Sequence, residues 1–215
     1  MSKIYHIKNL IIGAGLSGLT TAYELDKVGE EFLLLESRDR IGGRILTQGN
    51  IDFGATWFQA HHEEILALTS ELNVDVFPQF NEGKSVLVYS TMAPAHHFEN
   101  DPDSPRAKRI KGGTTTLLNK LSESFRQQIK LSETVQSISS QDKGLLVTTT
   151  NAQYLADRVV VTLPPRLASF INYEPALPSE VQDAMGITHT WMSYAIKLGI
   201  NYESPFWREK LFSGM

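Results

Sequence analysis

The chain has 215 residues and no cysteine. That excludes a disulfide framework, a thiolate zinc site, a cysteine nucleophile and any cofactor attached through a cysteine sulfur. Long hydrophobic runs are missing as well. No stretch approaches the roughly 20 apolar residues that span a bilayer. The opening "MSKIYHIKNLIIGAG" breaks at glycines before it can form the apolar centre of a signal peptide. A net charge of -4 leaves no basic excess, the footprint a nucleic-acid partner would require. There is no G-x-S-x-G elbow, no Ser-His-Asp arrangement, no repeat and no low-complexity tract. What remains is an ordinary globular composition, 41% hydrophobic and 20% charged, long enough for one large domain or two small ones. We expect a soluble, cytoplasmic protein.

What the chain does have is glycine concentrated in one place. The stretch "LIIGAGLSGLTTAYELDKVGEEFLLLESRDRIGGRI", Leu10 to Ile45, holds six. Each glycine inside a regular element costs roughly 0.5–1 kcal/mol relative to alanine, so such a cluster marks backbone that must approach something closely. "KNLIIGAG" reads as a strand closed by glycines. Apolar residues then fall at helical spacing from Leu16 to Val28, and "EEFLLLES" has the continuous apolar run of a strand buried on both faces. Strand, glycine turn, helix and strand form a βαβ unit. Its turn is Gly13-Ala14-Gly15-Leu16-Ser17-Gly18, a G-x-G-x-x-G pattern, and Glu36 ends the next strand. That spacing suits a pyrophosphate at the helix amino terminus and an acidic residue on a ribose hydroxyl, which disfavours NADP.

Further along, "HEEILALTSELNV" has the pattern of an amphipathic helix, and "YSTMAPAHHFENDPDSPRAKRI" that of an exposed loop or inter-element linker. "GGTTTLLNKLSESFRQQI" begins another helix, "GLLVTTTNAQYLADRVVVTLPP" reads as a hairpin or meander running into a strand, and "MSYAIKLGINY" as one more strand. The adjacent pairs His61-His62 and His96-His97, with Glu63 and Glu64, lack a third partner at metal-ligand spacing, so we expect no metal. Trp191, Phe206 and Trp207 read as packing residues.

A second motif comes directly after the βαβ unit: Glu36-Ser37-Arg38-Asp39-Arg40-Ile41-Gly42-Gly43-Arg44. A flavin dinucleotide has use for a basic, glycine-paired turn there, because its extended pyrophosphate must be neutralised from a second side. At these residues the chain resembles the flavin-containing amine oxidase superfamily, which includes monoamine, polyamine and L-amino-acid oxidases. "LLLESRDRIGGRI", "IDFGATWF", "IKGGTTTLLNKL", "LSETVQSI", "VVVTLPPRLASFINYEPALP" and "AIKLGINYESPFWREKLFSG" are similar to that family's landmarks and occur in its order.

The resemblance implies an α/β fold with a Rossmann-type, FAD-binding core, a parallel sheet with a β-meander, and a partial substrate-binding domain. It divides the chain into a first FAD-binding part (1–75), a short substrate-domain insertion (76–108), a second FAD-binding part (109–166) and a partial substrate domain (167–215). Gly13, Gly15, Ser17 and Gly18 would hold the diphosphate, Glu36 the adenosine ribose, and Arg38, Gly43 and Arg44 the ribose and pyrophosphate region. Gly54, Ala55 and Thr56 would lie along the flavin ring, and Val135 would meet the adenine side through its backbone. Lys197 would hold a water beside flavin N5. The implied chemistry is oxidation of an amine carbon–nitrogen bond by non-covalent FAD, with oxygen as acceptor. Ala55 stands where the family has a second glycine, and the chain is shorter than family members, which implies a truncated form. Two other readings stay open: a porphyrinogen oxidase- or desaturase-like flavoenzyme, and a non-catalytic FAD-binding protein that needs a complementing chain. Exposed sheet surface predicts a homo-oligomer or such a complementing chain.

Overall fold

A computed structural model of the chain describes residues 4–101, 103–190 and 196–214. In chain order the elements begin with β1 (Ile4–Ile12), α1 (Leu16–Lys27) and β2 (Phe32–Leu35). Next come β3 (Thr47–Gln48), β4 (Ile51–Asp52), α2 (Glu63–Glu71), β5 (Val76–Pro78), β6 (Lys84–Leu87), β7 (His96–Glu99) and β8 (Lys108–Ile110). The chain continues through α3 (Thr115–Leu121), β9 (Ile129–Lys130), β10 (Val135–Gln141), β11 (Gly144–Thr149) and β12 (Gln153–Val161). It closes with α4 (Pro165–Ala168), β13 (Asn172–Glu174), α5 (Ser179–Ile187) and α6 (Phe206–Glu209). These form two compact units, one of Met1–Leu46 with Leu118–Lys197 and the other of Thr47–Leu117 with Leu198–Met215.

The first unit is built on a seven-stranded sheet in the order β13-β10-β11-β12-β1-β2-β9. β1 pairs in parallel with β2 on one side and β12 on the other, while β10, β11 and β12 form an antiparallel meander. The apolar run Phe32–Leu35 is buried throughout, as a central parallel strand requires. α1 turns Gly18, Leu19 and Ala22 toward the interior, a narrow and mostly small-residue stripe that lets the helix lie close to the sheet. Leu10, Ile12, Leu35, Val147 and Tyr154 belong to the central cluster. Each such large side chain contributes about 1.5–3 kcal/mol of burial. In the sheet's register Ile12 pairs with both Leu35 and Val161. The carboxyl ends of three adjacent parallel strands therefore finish at one level, the edge where open α/β sheets bind ligands.

In the second unit β3 and β4 make a short hairpin, β5 pairs with β8, and β6 pairs with β7, all antiparallel. Phe58, Val74 and Ile110 are buried there, and α2 buries only Thr69. Ser85 and Ser213 bring the chain's last segment onto β6 through hydroxyl and backbone bonds.

Three expectations need correction. The stretch that reads as an exposed loop holds β7 and β8, whose polar and basic residues pair with β6 and β5 without giving an apolar alternation. The helix that "GGTTTLLNKLSESFRQQI" begins is α3, and it stops at Leu121, where Ser122 turns its hydroxyl back onto the Leu118 carbonyl, while a separate 3₁₀ turn lies at Arg126–Gln128. Of "MSYAIKLGINY", residues 192–195 lie outside the described residues, as does Trp191, and 196–202 is not a strand. Among the described residues no helix is long and apolar enough to cross a membrane, and no cluster of three metal-ligating side chains occurs.

Candidate functional site

Two glycine turns, each opening a helix, carry the residues singled out from the sequence. At the end of β1, Gly13 takes a positive φ of 105° and returns the chain into α1. Gly18 is packed so closely on this turn that a Cβ there would sit 1.8 Å from the Gly13 carbonyl oxygen. Only glycine fits. α1 has Gly15 as its N-cap, no side-chain cap bond and no acidic residue in its first turn. Its free N–H groups and the positive end of its dipole are thus left for an anion. Ser17 is exposed on this first turn.

Glu36 is the buried carboxylate of the turn, 5% exposed. Its Oε2 accepts from the Ala14 N–H at 2.8 Å, and its Oε1 from the Arg38 N–H at 2.9 Å and the Ser37 hydroxyl at 3.3 Å. Each oxygen of an ionised carboxylate can accept more than one bond, so Glu36 holds the turn and still presents acceptor capacity. The second glycine pair packs beside it: Gly42 N–H donates to the Ala14 carbonyl at 2.7 Å, and Gly15 and Gly42 form a parallel bridge. Arg38 and Arg44 are exposed on this loop. A cavity of about 560 Å³ opens at the strand ends, with Gly13, Glu36, Thr134 and Val135 among its lining residues. That volume lies within the range of small-ligand sites. The structure thus brings Gly13, Glu36 and Val135 to one cavity, as one end of a dinucleotide would require.

The second turn is Gly112-Gly113, before α3. Asp52 on β4, 3% exposed, accepts from the Thr47 hydroxyl at 2.6 Å and the Thr114 N–H at 2.9 Å through Oδ1, and from Arg109 Nη2 at 3.4 Å through Oδ2. Thr47 and Thr115 exchange backbone-to-hydroxyl bonds of 2.9 and 3.1 Å. The Thr114 hydroxyl donates to the Ala55 carbonyl at 2.8 Å, and Thr56 Oγ1 donates to the Gly54 carbonyl at 3.1 Å. Gly54, Ala55 and Thr56 are therefore fixed by one of their own hydroxyls and by the α3 turn. Lys197 is exposed, in the segment that is not a strand.

Sequence reasoning misses several residues that shape these turns. Thr162 donates to the carbonyls of Ile12 at 2.9 Å and Gly13 at 3.0 Å, bracing the first turn from the end of β12. Arg40, which reads as part of a charged loop, gives its guanidinium to the carbonyls of Ile41, Gly43 and Ile45. Asp52 and Thr114 fall inside the landmarks "IDFGATWF" and "IKGGTTTLLNKL", but the sequence assigns neither of them a role, and Arg109 carries no signal at all. A signal for Thr162 exists, since a parallel strand pairing in register with β1 must end beside Gly13. The Asp52 cluster joins residues up to 68 positions apart and has no local signature.

A sequence model for "flavin containing amine oxidoreductase" matches residues 16–91 and 85–214. The chain belongs to this family. An L-amino acid dehydrogenase from Synechocystis sp. is 25% identical over 311 aligned positions, covering 96% of this chain and 66% of the relative. A putrescine oxidase from Kocuria rosea is 23% identical, covering 95% and 66%. A solved putrescine oxidase with bound putrescine superposes with a TM-score of 0.82 at 20% identity, covering 97% of this chain and 69% of that one. The chain spans about two-thirds of the length of the relatives it matches. It can fill at most 215 of the 311 positions aligned with the Synechocystis relative, so roughly one hundred have no counterpart here. The two family matches overlap at residues 85–91, on and just after β6.

Membership makes the cofactor FAD, and the first turn fits it. The helix start is free of side-chain caps and acidic residues, the glycines leave room for close approach, and a buried carboxylate stands at the adjacent strand end. FAD bound by this chain would be non-covalent at sulfur, since no cysteine exists.

Proposed function

We propose that this chain is the cofactor-holding part of an FAD-dependent amine oxidase. The observation that carries the reading is the first turn: an uncapped α1 start, Gly18 against Gly13, and Glu36 at the mouth of a cavity of about 560 Å³. Gly13, Gly15, Ser17 and Gly18 hold the diphosphate at the α1 amino terminus. Glu36 accepts from the adenosine ribose, and Val135 meets the adenine side through its backbone. Arg38, Gly43 and Arg44 neutralise and wall the pyrophosphate. Gly54, Ala55 and Thr56 line the flavin, and Lys197 holds a water on the oxygen-reactive side. Bound FAD supplies the two-electron acceptor for an amine carbon–nitrogen bond, with oxygen as the final acceptor. The names of the relatives, which act on amines or amino acids, support an amine over a porphyrinogen or carotenoid substrate.

The test is the visible absorption spectrum of the purified chain, before and after adding FAD and then a panel of amines without oxygen. A flavin band that bleaches with an amine establishes the oxidase. No band at any FAD concentration overturns the cofactor reading. A second reading is favoured by the roughly one hundred relative positions without counterpart here. It holds that the chain binds FAD but oxidises no amine until a complementing polypeptide is supplied. A band that never bleaches supports that reading.

A further inference from the structure

The Thr114 hydroxyl sits at the junction of two sets of bonds. Its residue's N–H is held by Asp52 Oδ1 at 2.9 Å, and its Oγ1 donates to the Ala55 carbonyl at 2.8 Å. Asp52 is itself fixed from three directions, by Thr47 Oγ1, the Thr114 N–H and Arg109. Gly113 is locked against the same groups: its φ is +88°, and a Cβ there would lie 2.3 Å from Thr47 Cγ2 and 2.9 Å from Asp52 Oδ1. This arrangement leaves the turn one position, and Thr114 passes that position on to the Ala55–Thr56 peptide. Ala55 itself is exposed and has no buried side chain to anchor it.

We infer that Asp52 and Thr114 act as positioning residues for the cofactor, clasping Gly54, Ala55 and Thr56 at the height where that strip meets the flavin. The assignment rests on the proposed reading of Gly54, Ala55 and Thr56 as flavin-lining. It explains why a threonine comes after the glycine pair: the turn itself needs only Gly113, whereas the reach to Ala55 needs a hydroxyl. It also gives the buried Asp52 a task, since a carboxylate at this burial is expensive unless all its bonds are made.

The test compares Thr114→Val with Thr114→Ser in the full chain. Valine keeps the shape and the backbone bond to Asp52 but removes the donor to Ala55, while serine keeps that donor. Two quantities are read: the carbonyl carbon shift of Ala55 by NMR in the FAD-free protein, and FAD affinity by quenching of flavin fluorescence. We expect T114V to move the Ala55 carbonyl resonance and to weaken FAD binding about five- to tenfold, the worth of one ordinary hydrogen bond. T114S should match wild type in both, and thermal midpoints should stay close across all three proteins. An unmoved Ala55 resonance in T114V overturns the clasp. A moved resonance with undiminished FAD affinity overturns its role toward the cofactor. If T114V fails to fold, a T114S variant that loses FAD affinity while keeping the Ala55 resonance overturns the inference equally, and one that keeps both supports it. If wild type takes up no FAD, the cofactor reading fails first and this inference falls with it. If wild type binds FAD and T114V binds it equally well, only the inference fails.

Discussion

Glu36 and Asp52 solve the same local problem in different ways. Each is a buried carboxylate at the end of a short strand, and each accepts a backbone N–H from a glycine turn that opens a helix. Asp52 is consumed by the protein, with two hydroxyl or amide donors on one oxygen and the Arg109 guanidinium on the other. Glu36 has no cation against it among the described ion pairs, takes only neutral donors, and lines a cavity. A carboxylate that the fold has fully partnered is there to fix structure. One that takes three neutral donors and no cation, beside an open volume, is the one we propose meets a ligand as well.

The sharpest way to break this contrast is to remove Asp52. Asp52→Ala leaves Arg109 and the Thr114 N–H without their buried acceptor, and breaking such a pair costs about 3 kcal/mol or more. Because the Arg109 side chain is 28% exposed, we expect the lower end of that range. Urea unfolding measures it. Asp52→Asn, which keeps one acceptor oxygen, should cost about half as much. A loss under about 0.5 kcal/mol, the size of an ordinary surface change, would mean that Asp52 fixes nothing.

Gly18→Ala comes next. Its Cβ would meet backbone, at 1.8 Å from the Gly13 oxygen and 3.0 Å from the Gly13 carbon, so no side chain can move aside to admit it. Overpacking of this kind costs about 1–3 kcal/mol. Here α1 must lift from the turn, so FAD uptake should disappear while the rest of the sheet persists. Equilibrium dialysis with FAD, alongside urea unfolding, separates the two effects. Retained FAD affinity in a folded G18A protein would remove the first turn from the cofactor site.

Glu36→Gln should invert the pattern of Asp52→Asn. A glutamine still accepts from the Ala14 N–H through its single oxygen, so the stability loss should stay near about 1 kcal/mol. FAD affinity should fall about tenfold or more, because a hydrogen bond to a charged group is worth about 1.5–3 kcal/mol. Equal stability losses in the two variants, with FAD affinity untouched in E36Q, would show that the two carboxylates do the same work.

How far these roles are legible in the sequence depends on the range of the contacts. The first turn is readable because its parts are local: Gly13, Gly18 and Glu36 lie within one βαβ unit whose spacing is dictated by a strand, a helix and a strand. The family's ordered landmarks give the fold class for the same reason. Asp52 stays hidden because its partners come from Thr47, Arg109 and Thr114, and nothing in "NIDFG" announces a residue some sixty positions away. β7 and β8 escape because "HHFE" and "KRI" are strands by pairing, not by alternation. Arg40 passes for a solvated charge because a guanidinium that caps three carbonyls of its own turn has the composition of a surface loop.

Alkaline pH offers the mildest way to separate the two regions. Tyr154 lies on β12, in the meander, stacked on Tyr5 with ring centroids 5.7 Å apart, and burial raises its phenol pKa above the ordinary value, with Glu133 and Tyr5 adding to the rise. Tyr173 on β13 is raised in the same direction by burial, and its hydroxyl donates to the Ala168 carbonyl at 3.2 Å. In both cases the fold favours the neutral form. Their contribution is therefore complete below the unfolded-state value of about 10 and is lost as pH climbs through the higher folded-state values. Both phenols belong to the first unit, whose sheet carries Glu36, whereas the Asp52 cluster belongs to the second. Amide exchange should consequently show β10, β12 and β13 losing protection above about pH 10, while the hairpin of β3 and β4 holds until the chain unfolds as a whole. Tyr154→Phe, which has no proton to lose, should move that onset upward. An onset unchanged in Y154F, or first loss at the hairpin, would assign the alkaline weakness to other groups.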